Sequence, residues 1–223
     1  MRIALTKYGL PQVVIIPAII IAVMFIVLTA GLNWLTISVQ AVLFILLVFV
    51  ISFFRNPKRQ IPQDNRLLLA PADGTIRDIE LIEDHNFTGG KALRIGIFLS
   101  IFNAHINRSP CSAKVEKITY KKGKFKDARD PLAGKVNESN DIILIRNNFP
   151  EDKIIVRQIS GAIARRIVCS LKHSQILASG EKFGMIKFGS RTELYVPARD
   201  DVKCLVNVGD KVKAGISALI RYE

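Results

Sequence analysis

Apolar and polar positions divide the chain into two regimes. Two runs, from about Val13 to Ala30 and from about Ile37 to Phe54, contain no formal charge. At roughly 18 residues each, they are long enough to cross a hydrocarbon core as helices. Between them, Gly31-Leu32-Asn33-Trp34-Leu35-Thr36 reads as a short polar turn whose Trp suits a membrane interface. The pattern predicts an N-terminal helical hairpin in the membrane. A cleaved signal peptide fits less well, because signal cores are shorter and the second run would stay unexplained.

From Leu67 the pattern changes to short stretches rich in β-branched residues and broken by Gly, Pro and Asp. Leu67–Ala70, Ile76–Ile82, Ala92–Phe98, Val115–Tyr120, Ile142–Ile145, Ile154–Ile159, Glu193–Val196 and Lys203–Val206 read as strands. No long amphipathic helix interrupts them, and Asp127–Val136 reads as irregular or as one short turn. Val206-Asn207-Val208-Gly209-Asp210-Lys211-Val212-Lys213-Ala214-Gly215 has the form V-x-x-G-D-x-V-x-x-G, with glycines suited to tight turns at positive φ. It resembles the terminal hairpin of barrel-sandwich hybrid domains, the lipoyl and biotinyl carrier type, which speaks to fold and not to activity. The predicted fold class is mainly β: a barrel-sandwich-hybrid-like soluble domain over 61–223, preceded by a two-helix membrane hairpin with its basic flanks over 1–60.

Charge sharpens this division. The 223 residues carry a formal net charge of +13, yet residues 1–54 contain only Arg2 and Lys7. The remaining 169 residues carry +11. Arg2 and Lys7 precede the first run, Arg55, Lys58 and Arg59 follow the second, and the turn between is uncharged. The positive-inside rule therefore places both ends, and with them the soluble domain, on the cytoplasmic side of the cell membrane. A basic soluble domain also suits an anionic leaflet. Nucleic-acid binding would explain the charge too. The aromatics, however, are mostly Phe within apolar runs and no DNA- or RNA-binding motif is present, so no nucleic-acid partner is expected. Cys111, Cys169 and Cys204 form no CxxC pair, which excludes a zinc ribbon and suits reduced thiols used as small core residues.

Among candidate chemical groups, His85 and His173 sit in polar stretches and read as solvated loop residues. His105 follows the apolar segment Phe98-Leu99-Ser100-Ile101-Phe102-Asn103-Ala104 and is closed off by Pro110. Asp73 lies in a turn before Gly74, and Ser190 follows Gly189. Taken singly, each also reads as an ordinary structural residue: a lone core His, a turn Asp bonding its own backbone, a Gly-Ser turn. Together they supply an Asp-His-Ser set, in which a carboxylate orients an imidazole that takes a hydroxyl proton. No G-x-S-x-G elbow is present, which argues against an α/β-hydrolase.

The motifs around these residues occur in a telling order. Phe54-Arg55-Asn56-Pro57 follows the hairpin. Ala70-Pro71-Ala72-Asp73-Gly74, Asn103-Ala104-His105-Ile106-Asn107-Arg108-Ser109-Pro110, Gly161-Ala162-Ile163-Ala164-Arg165-Arg166-Ile167 and Lys187-Phe188-Gly189-Ser190-Arg191-Thr192 come after it. In this order and over nearly the whole chain, the sequence resembles a phosphatidylserine decarboxylase proenzyme of the short bacterial type. Two places depart from many longer relatives: Phe-Gly-Ser-Arg stands where they have Leu-Gly-Ser-Thr, and Arg108 stands where they often have a second His.

The resemblance implies a pyruvoyl-dependent carboxy-lyase that makes its own cofactor. Ser190 would attack the Gly189 carbonyl, with His105 as base and Asp73 as its orienter. The chain would then divide between Gly189 and Ser190 into chains 1–189 and 190–223, which remain together as a heterodimer with a pyruvoyl group derived from Ser190. That group would form a Schiff base with the amine of phosphatidylserine and accept electrons as carbon dioxide leaves, yielding phosphatidylethanolamine at the membrane surface without metal or pyridoxal phosphate. His105 is also a candidate acid for returning a proton. Arg108, Arg165 and Arg166 are candidates for the substrate's phosphate or carboxylate. Strand alternation would place at most one of Arg165 and Arg166 in the site, and a solvated basic edge explains them equally well. Two other readings stay open: the same chemistry on an ether lipid of the archaetidylserine type, and a non-enzymatic membrane-anchored barrel-sandwich module. A carrier of that last kind needs an exposed Lys at a hairpin tip, for which Met185-Ile186-Lys187 is a weak match.

Overall fold

The computed structural model describes residues 5–84, 87, 90–127, 130, 133–148, 150–162, 166–187 and 190–223. Met1–Pro57 and Lys58–Glu223 form separate units.

In the first unit, the two apolar runs form helix α1 (Leu10–Thr29) and helix α2 (Trp34–Phe53). Pro11 lies in the first turn of α1, where a missing N–H removes no helical hydrogen bond. The Asn33 side chain accepts from the N–H groups of Leu35 and Thr36 at 3.0 Å, while Thr36 Oγ1 accepts from the Asn33 N–H at 3.0 Å. This capping box satisfies the polar groups of the turn within the turn itself. Gln40 Nε2 donates to the Met24 carbonyl at 2.7 Å and ties the helices together. Both helices are long and apolar enough to cross a membrane, and most of their large side chains are exposed within the unit.

The second unit is mainly β. Its strands are β1 (Leu67–Leu69), β2 (Gly74–Glu83), β3 (Lys91–Leu99), β4 (Ile106–Arg108), β5 (Ala113–Lys121), β6 (Ser139–Arg146) and β7 (Lys153–Ile159). There follow β8 (Ile167–Cys169), β9 (Ile176–Leu177), β10 (Lys182–Ile186), β11 (Ser190–Pro197), β12 (Val202–Cys204), β13 (Lys211–Val212) and β14 (Ala218–Tyr222). A curled eight-stranded sheet runs β13-β2-β3-β11-β7-β6-β5-β9, and two three-stranded sheets run β1-β14-β12 and β4-β10-β8. Alternation along the long strands sends Ile95, Ile97, Ile142, Leu144, Ile154, Val156, Leu194 and Val196 into one core with Phe183 of β10. The opposite face buries a smaller cluster of Phe87, Ala92, Ile155 and Tyr195.

The eight predicted strands all lie on observed ones, with shifted ends. Six were not predicted: β4, β8, β9, β10, β13 and β14 are short, and β4 lies among the polar residues of a candidate motif. Helix α3 (Ala133–Val136) is the one regular piece described between Asp127 and Val136. The V-x-x-G-D-x-V-x-x-G segment has the expected positive φ, 99° at Gly209 and 70° at Gly215. It is not a hairpin, however. β13 pairs with β2 of the large sheet, whereas β12 and β14 pair with each other in a small one, so the segment passes the chain between sheets.

Arg146 shows how the sheet end is closed. It is 1% exposed, its Nη1 donates to the carbonyls of Asn148 and Pro150, its Nη2 donates to that of Asn65, and the guanidinium lies 4.0 Å from the centroid of the Tyr222 ring. A hydrogen bond from a charged donor contributes about 1.5–3 kcal/mol. Arg146→Met is therefore expected to lower stability by about 3 kcal/mol or more, read as a lower urea midpoint for the detergent-solubilised protein.

Candidate active site

Three loops carry the candidate residues, and backbone hydrogen bonds bring them together. The first joins β1 to β2 and contains Pro71, Ala72 and Asp73, all buried. The second joins β3 to β4 and contains His105, which is fully buried. The third leads from β10 into β11 and ends at Ser190, also fully buried. The Arg108 N–H donates to the Pro71 carbonyl at 3.0 Å and so ties the first loop to β4. The Ile186 N–H donates to the His105 carbonyl at 3.2 Å, four residues before Ser190. β11 pairs with β3, setting Ser190 opposite Leu99, where the β3–β4 loop begins.

Asn107 is the hub of this arrangement. Its Nδ2 donates to Thr192 Oγ1 at 3.1 Å and to the Pro71 carbonyl at 3.4 Å, and its Oδ1 accepts from Gln158 Nε2 at 2.9 Å. Gln158 Oε1 in turn accepts from Asn140 Nδ2 at 3.0 Å. Asn107, Gln158 and Thr192 are wholly buried, so these bonds face little competition from water. One amide therefore links the loop of Asp73, the strand after His105 and the strand of Ser190.

The candidate groups differ in their partners. His105 Nδ1 lies 2.9 Å from the Asn103 carbonyl. A carbonyl only accepts, so Nδ1 carries the proton and a neutral ring presents Nε2 as its basic nitrogen. The Asp73 carboxylate accepts from Arg59 Nη2 at 2.7 and 3.0 Å and from the Ala214 N–H at 2.8 Å. Ser190 Oγ is buried and has no hydrogen-bond partner among the described residues.

Cations surround the same region. Arg108 is buried, and its Nη1 donates to the Gly180 carbonyl at 2.9 Å. Burial pulls its pKa down and the nearby Arg59 adds to this, while Asp73 opposes it. Lys187 directly follows β10 at 8% exposure, with its pKa pulled down by burial and then by Arg166. A buried Lys187 does not match the exposed hairpin-tip Lys of a carrier module. Arg166 is exposed, and its carbonyl accepts from the Lys187 N–H at 3.3 Å. Arg165, Gly189 and His85 lie outside the described residues. His173 is an exposed residue whose Nδ1 meets the Glu116 carbonyl at 2.7 Å. Among the described residues, no group of His, Cys, Asp and Glu is arranged to hold a metal ion.

Sequence reasoning passed over Arg59, Asn107 and Ala214. Asn107 lies inside a quoted motif, but an Asn carries no chemical signal until its neighbours are known. Ala214 acts through its backbone, which no side-chain pattern reveals.

These loops lie in a mainly β domain, and comparison with known proteins gives the family. The profile of the family described as phosphatidylserine decarboxylase matches residues 46–219. A phosphatidylserine decarboxylase proenzyme of Carboxydothermus hydrogenoformans is 44% identical over 180 residues, covering 81% of this chain and 83% of its own length. Proenzymes of the same name from Rhodopirellula baltica and Symbiobacterium thermophilum are each 37% identical, over 97% and 99% of this chain and 88% and 96% of their own lengths. The chain belongs to the phosphatidylserine decarboxylase family.

Two measurements follow from this geometry. Asn107→Leu keeps the volume but removes the bonds that join the three loops, and decarboxylase activity is expected to fall on the order of tenfold or more in protein that remains folded by circular dichroism. Burial pushes the Cys111 thiol up to about 12, whereas Cys204 is exposed. Alkylation of the native protein at about neutral pH should therefore modify Cys204 and leave Cys111 untouched in peptide mass spectra.

Proposed function

We propose that this protein is a self-processing phosphatidylserine decarboxylase that acts at a membrane surface, using a pyruvoyl group made from its own Ser190. Family membership supports the substrate and the reaction. The observation that carries the self-processing is Ser190 itself, a wholly buried hydroxyl with no hydrogen-bond partner among the described residues, directly after a glycine. Such a group costs about 1–3 kcal/mol to keep, so its retention points to chemical use.

In this reading, His105 Nε2 takes the Ser190 hydroxyl proton, with the ring held by the Asn103 carbonyl at Nδ1. Asp73, fixed by Arg59 and Ala214, is the carboxylate whose charge favours the imidazolium. The Ser190 oxygen adds to the Gly189 carbonyl carbon, the Gly189–Ser190 C–N bond breaks, and the freed nitrogen gains a proton to leave an ester. Loss of the Ser190 α-proton and cleavage of the Cβ–Oγ bond release the Gly189 carboxylate and leave a dehydroalanine. Water then adds to its imine tautomer and ammonia departs, leaving a ketone at the new terminus of chain 190–223. The buried start of β11 accommodates a group of this size, since it keeps the three carbons and the carbonyl of Ser190 and gains one water-derived oxygen in place of the lost nitrogen and hydroxyl. When present, the pyruvoyl group supplies an electron sink for loss of the substrate carboxylate. Lys187, Arg108 and one of Arg165 and Arg166 supply positive charge for the carboxylate and phosphate of the lipid head group.

The cleaved chains stay paired because the shorter one is woven into the longer. β11 lies between β3 and β7, β13 pairs with β2, and β14 pairs with β1. The two apolar helices anchor the enzyme in the cell membrane. The basic flanks support a cytoplasmic position for the catalytic unit, where its net charge would draw it to anionic lipid.

Intact masses of purified wild type, Ser190→Ala and His105→Ala test this reading. Wild type should give two chains divided between residues 189 and 190, the shorter one blocked by a ketone. Ser190→Ala should remain one chain, and His105→Ala should be cut on the order of a hundredfold or more slowly. A folded wild type that stays as one uncut chain would refute self-processing.

A further inference from the structure

The two faces of β11 do different work. Thr192 bonds Asn107, and Leu194 and Val196 enter the main core, so Ser190 shares that face. Arg191, Glu193 and Tyr195 point the other way and are buried as well. On that side a single row crosses five strands: Asp78 of β2 faces Gly96 of β3, Gly96 faces Glu193, Glu193 faces Arg157 of β7, and Arg157 faces Asp141 of β6. The register shift in β2 between Ile76 and Asp78 brings the Asp78 carboxylate into this row.

Arg191 is clamped within the row. Its Nε donates to Glu193 Oε1 at 2.7 Å and its Nη2 to Asp78 Oδ1 at 2.6 Å. Glu193 is 0% exposed and also accepts from the Tyr195 hydroxyl at 2.5 Å, while Arg157 Nη1 donates to that hydroxyl at 2.8 Å. The guanidinium occupies the space above Gly96. A Cβ there would overlap Arg191 Nη2 and stand 2.6 Å from Asp78 Oδ1. Burial alone would pull the Arg191 pKa down. Its bonds to Asp78 and the charge of Glu193 outweigh that and raise it, so it stays a cation.

Buried ion clusters are seldom the most stable way to fill a sheet face, which raises the question of what this one holds. It sits one residue from the proposed cut. Ser190 has a strand partner on one side, Leu99, and pairing with β7 begins only at Arg191. Strand ends fray readily, and cutting the Gly189–Ser190 bond turns residue 190 into such an end.

We propose that Arg191 is a positioning residue for Ser190. Its clamp to Asp78 and Glu193 above Gly96 holds the head of β11 in place for the cut and keeps residue 190 in the site afterwards. This rests on the self-processing reading above.

The test is the rate of self-cleavage of freshly made full-length chains, followed by intact mass, with decarboxylase kinetics on whatever fraction is cut. Gly96→Ala evicts the guanidinium without touching Ser190, Arg191→Met removes it, and the double variant combines the two. Each single variant should cleave on the order of tenfold or more slowly. The double variant should be little slower than Arg191→Met, because the atoms nearest the added methyl group belong to Arg191 and Asp78, whose link is then already gone. Arg191→Lys should recover part of the rate, and cut Gly96→Ala enzyme should lose kcat with little change in KM. Where Arg191→Met does not fold, Asp78→Asn removes one arm of the clamp at constant size and should also slow the cut. If wild type is cut and folded Gly96→Ala and Asp78→Asn are cut equally fast, the clamp has no positioning role and this inference is overturned alone. If wild type is not cut, both it and the self-processing reading are overturned.

Discussion

A strand buried on both faces must satisfy everything it carries, and β11 imposes that constraint on the rest of this domain. All eight of its residues are buried, among them a serine, an arginine, a threonine and a glutamate. A buried carboxylate such as Glu193 is tolerable only with cations and donors around it. Arg191, Arg157, Arg94 and Tyr195 meet that need, and Asp78 and Asp141 in turn balance the arginines. The charge row on one face and the Asn140–Gln158–Asn107–Thr192 chain on the other are two answers to one problem. Both hold the start of β11 in place.

The candidate site inherits its order from that strand. Asn107 reaches Thr192 on β11 and Pro71 in the loop of Asp73, so the loops are located against the strand as well as against each other. The segment 206–215 has a second role here. By crossing from the small sheet to the large one, it delivers the Ala214 N–H to the Asp73 carboxylate. Arg59 completes the hold on Asp73, and Ile61, two residues on, packs where a Cβ on Gly180 would stand 2.5 Å from its Cδ1. Residues 58–60 thus belong physically to the β unit, although their composition reads as a basic flank of the membrane hairpin.

Much of the architecture was legible because it rests on local rules. Uninterrupted apolar runs marked both helices, and the short polar stretch between them marked the turn. The long strands showed themselves through β-branched alternation. Legibility failed where burial was polar. The start of β11 reads as a turn because Ser190, Arg191 and Thr192 are polar, and the expected strand began only at Glu193. β10 escaped notice because Gly184 interrupts five residues that are apolar apart from Lys182. In both places the hidden information is the partner, and a partner distant in the chain leaves no local mark.

Taken alone, the amino-acid order determined the two-part plan, the β class of the second part and the ordered motifs that carry the family resemblance. These depend on hydrophobic periodicity, turn chemistry and residue identity, all of which are local. Only the tertiary structure decided what each motif residue touches. It placed Asp73 under Arg59 and Ala214, turned His105 Nδ1 to a backbone carbonyl, left Ser190 Oγ buried, and set Arg191 over Gly96 between two carboxylates. Those outcomes depend on the register between strands far apart in the chain. A shift of one residue would send every side chain of β11 to the opposite face.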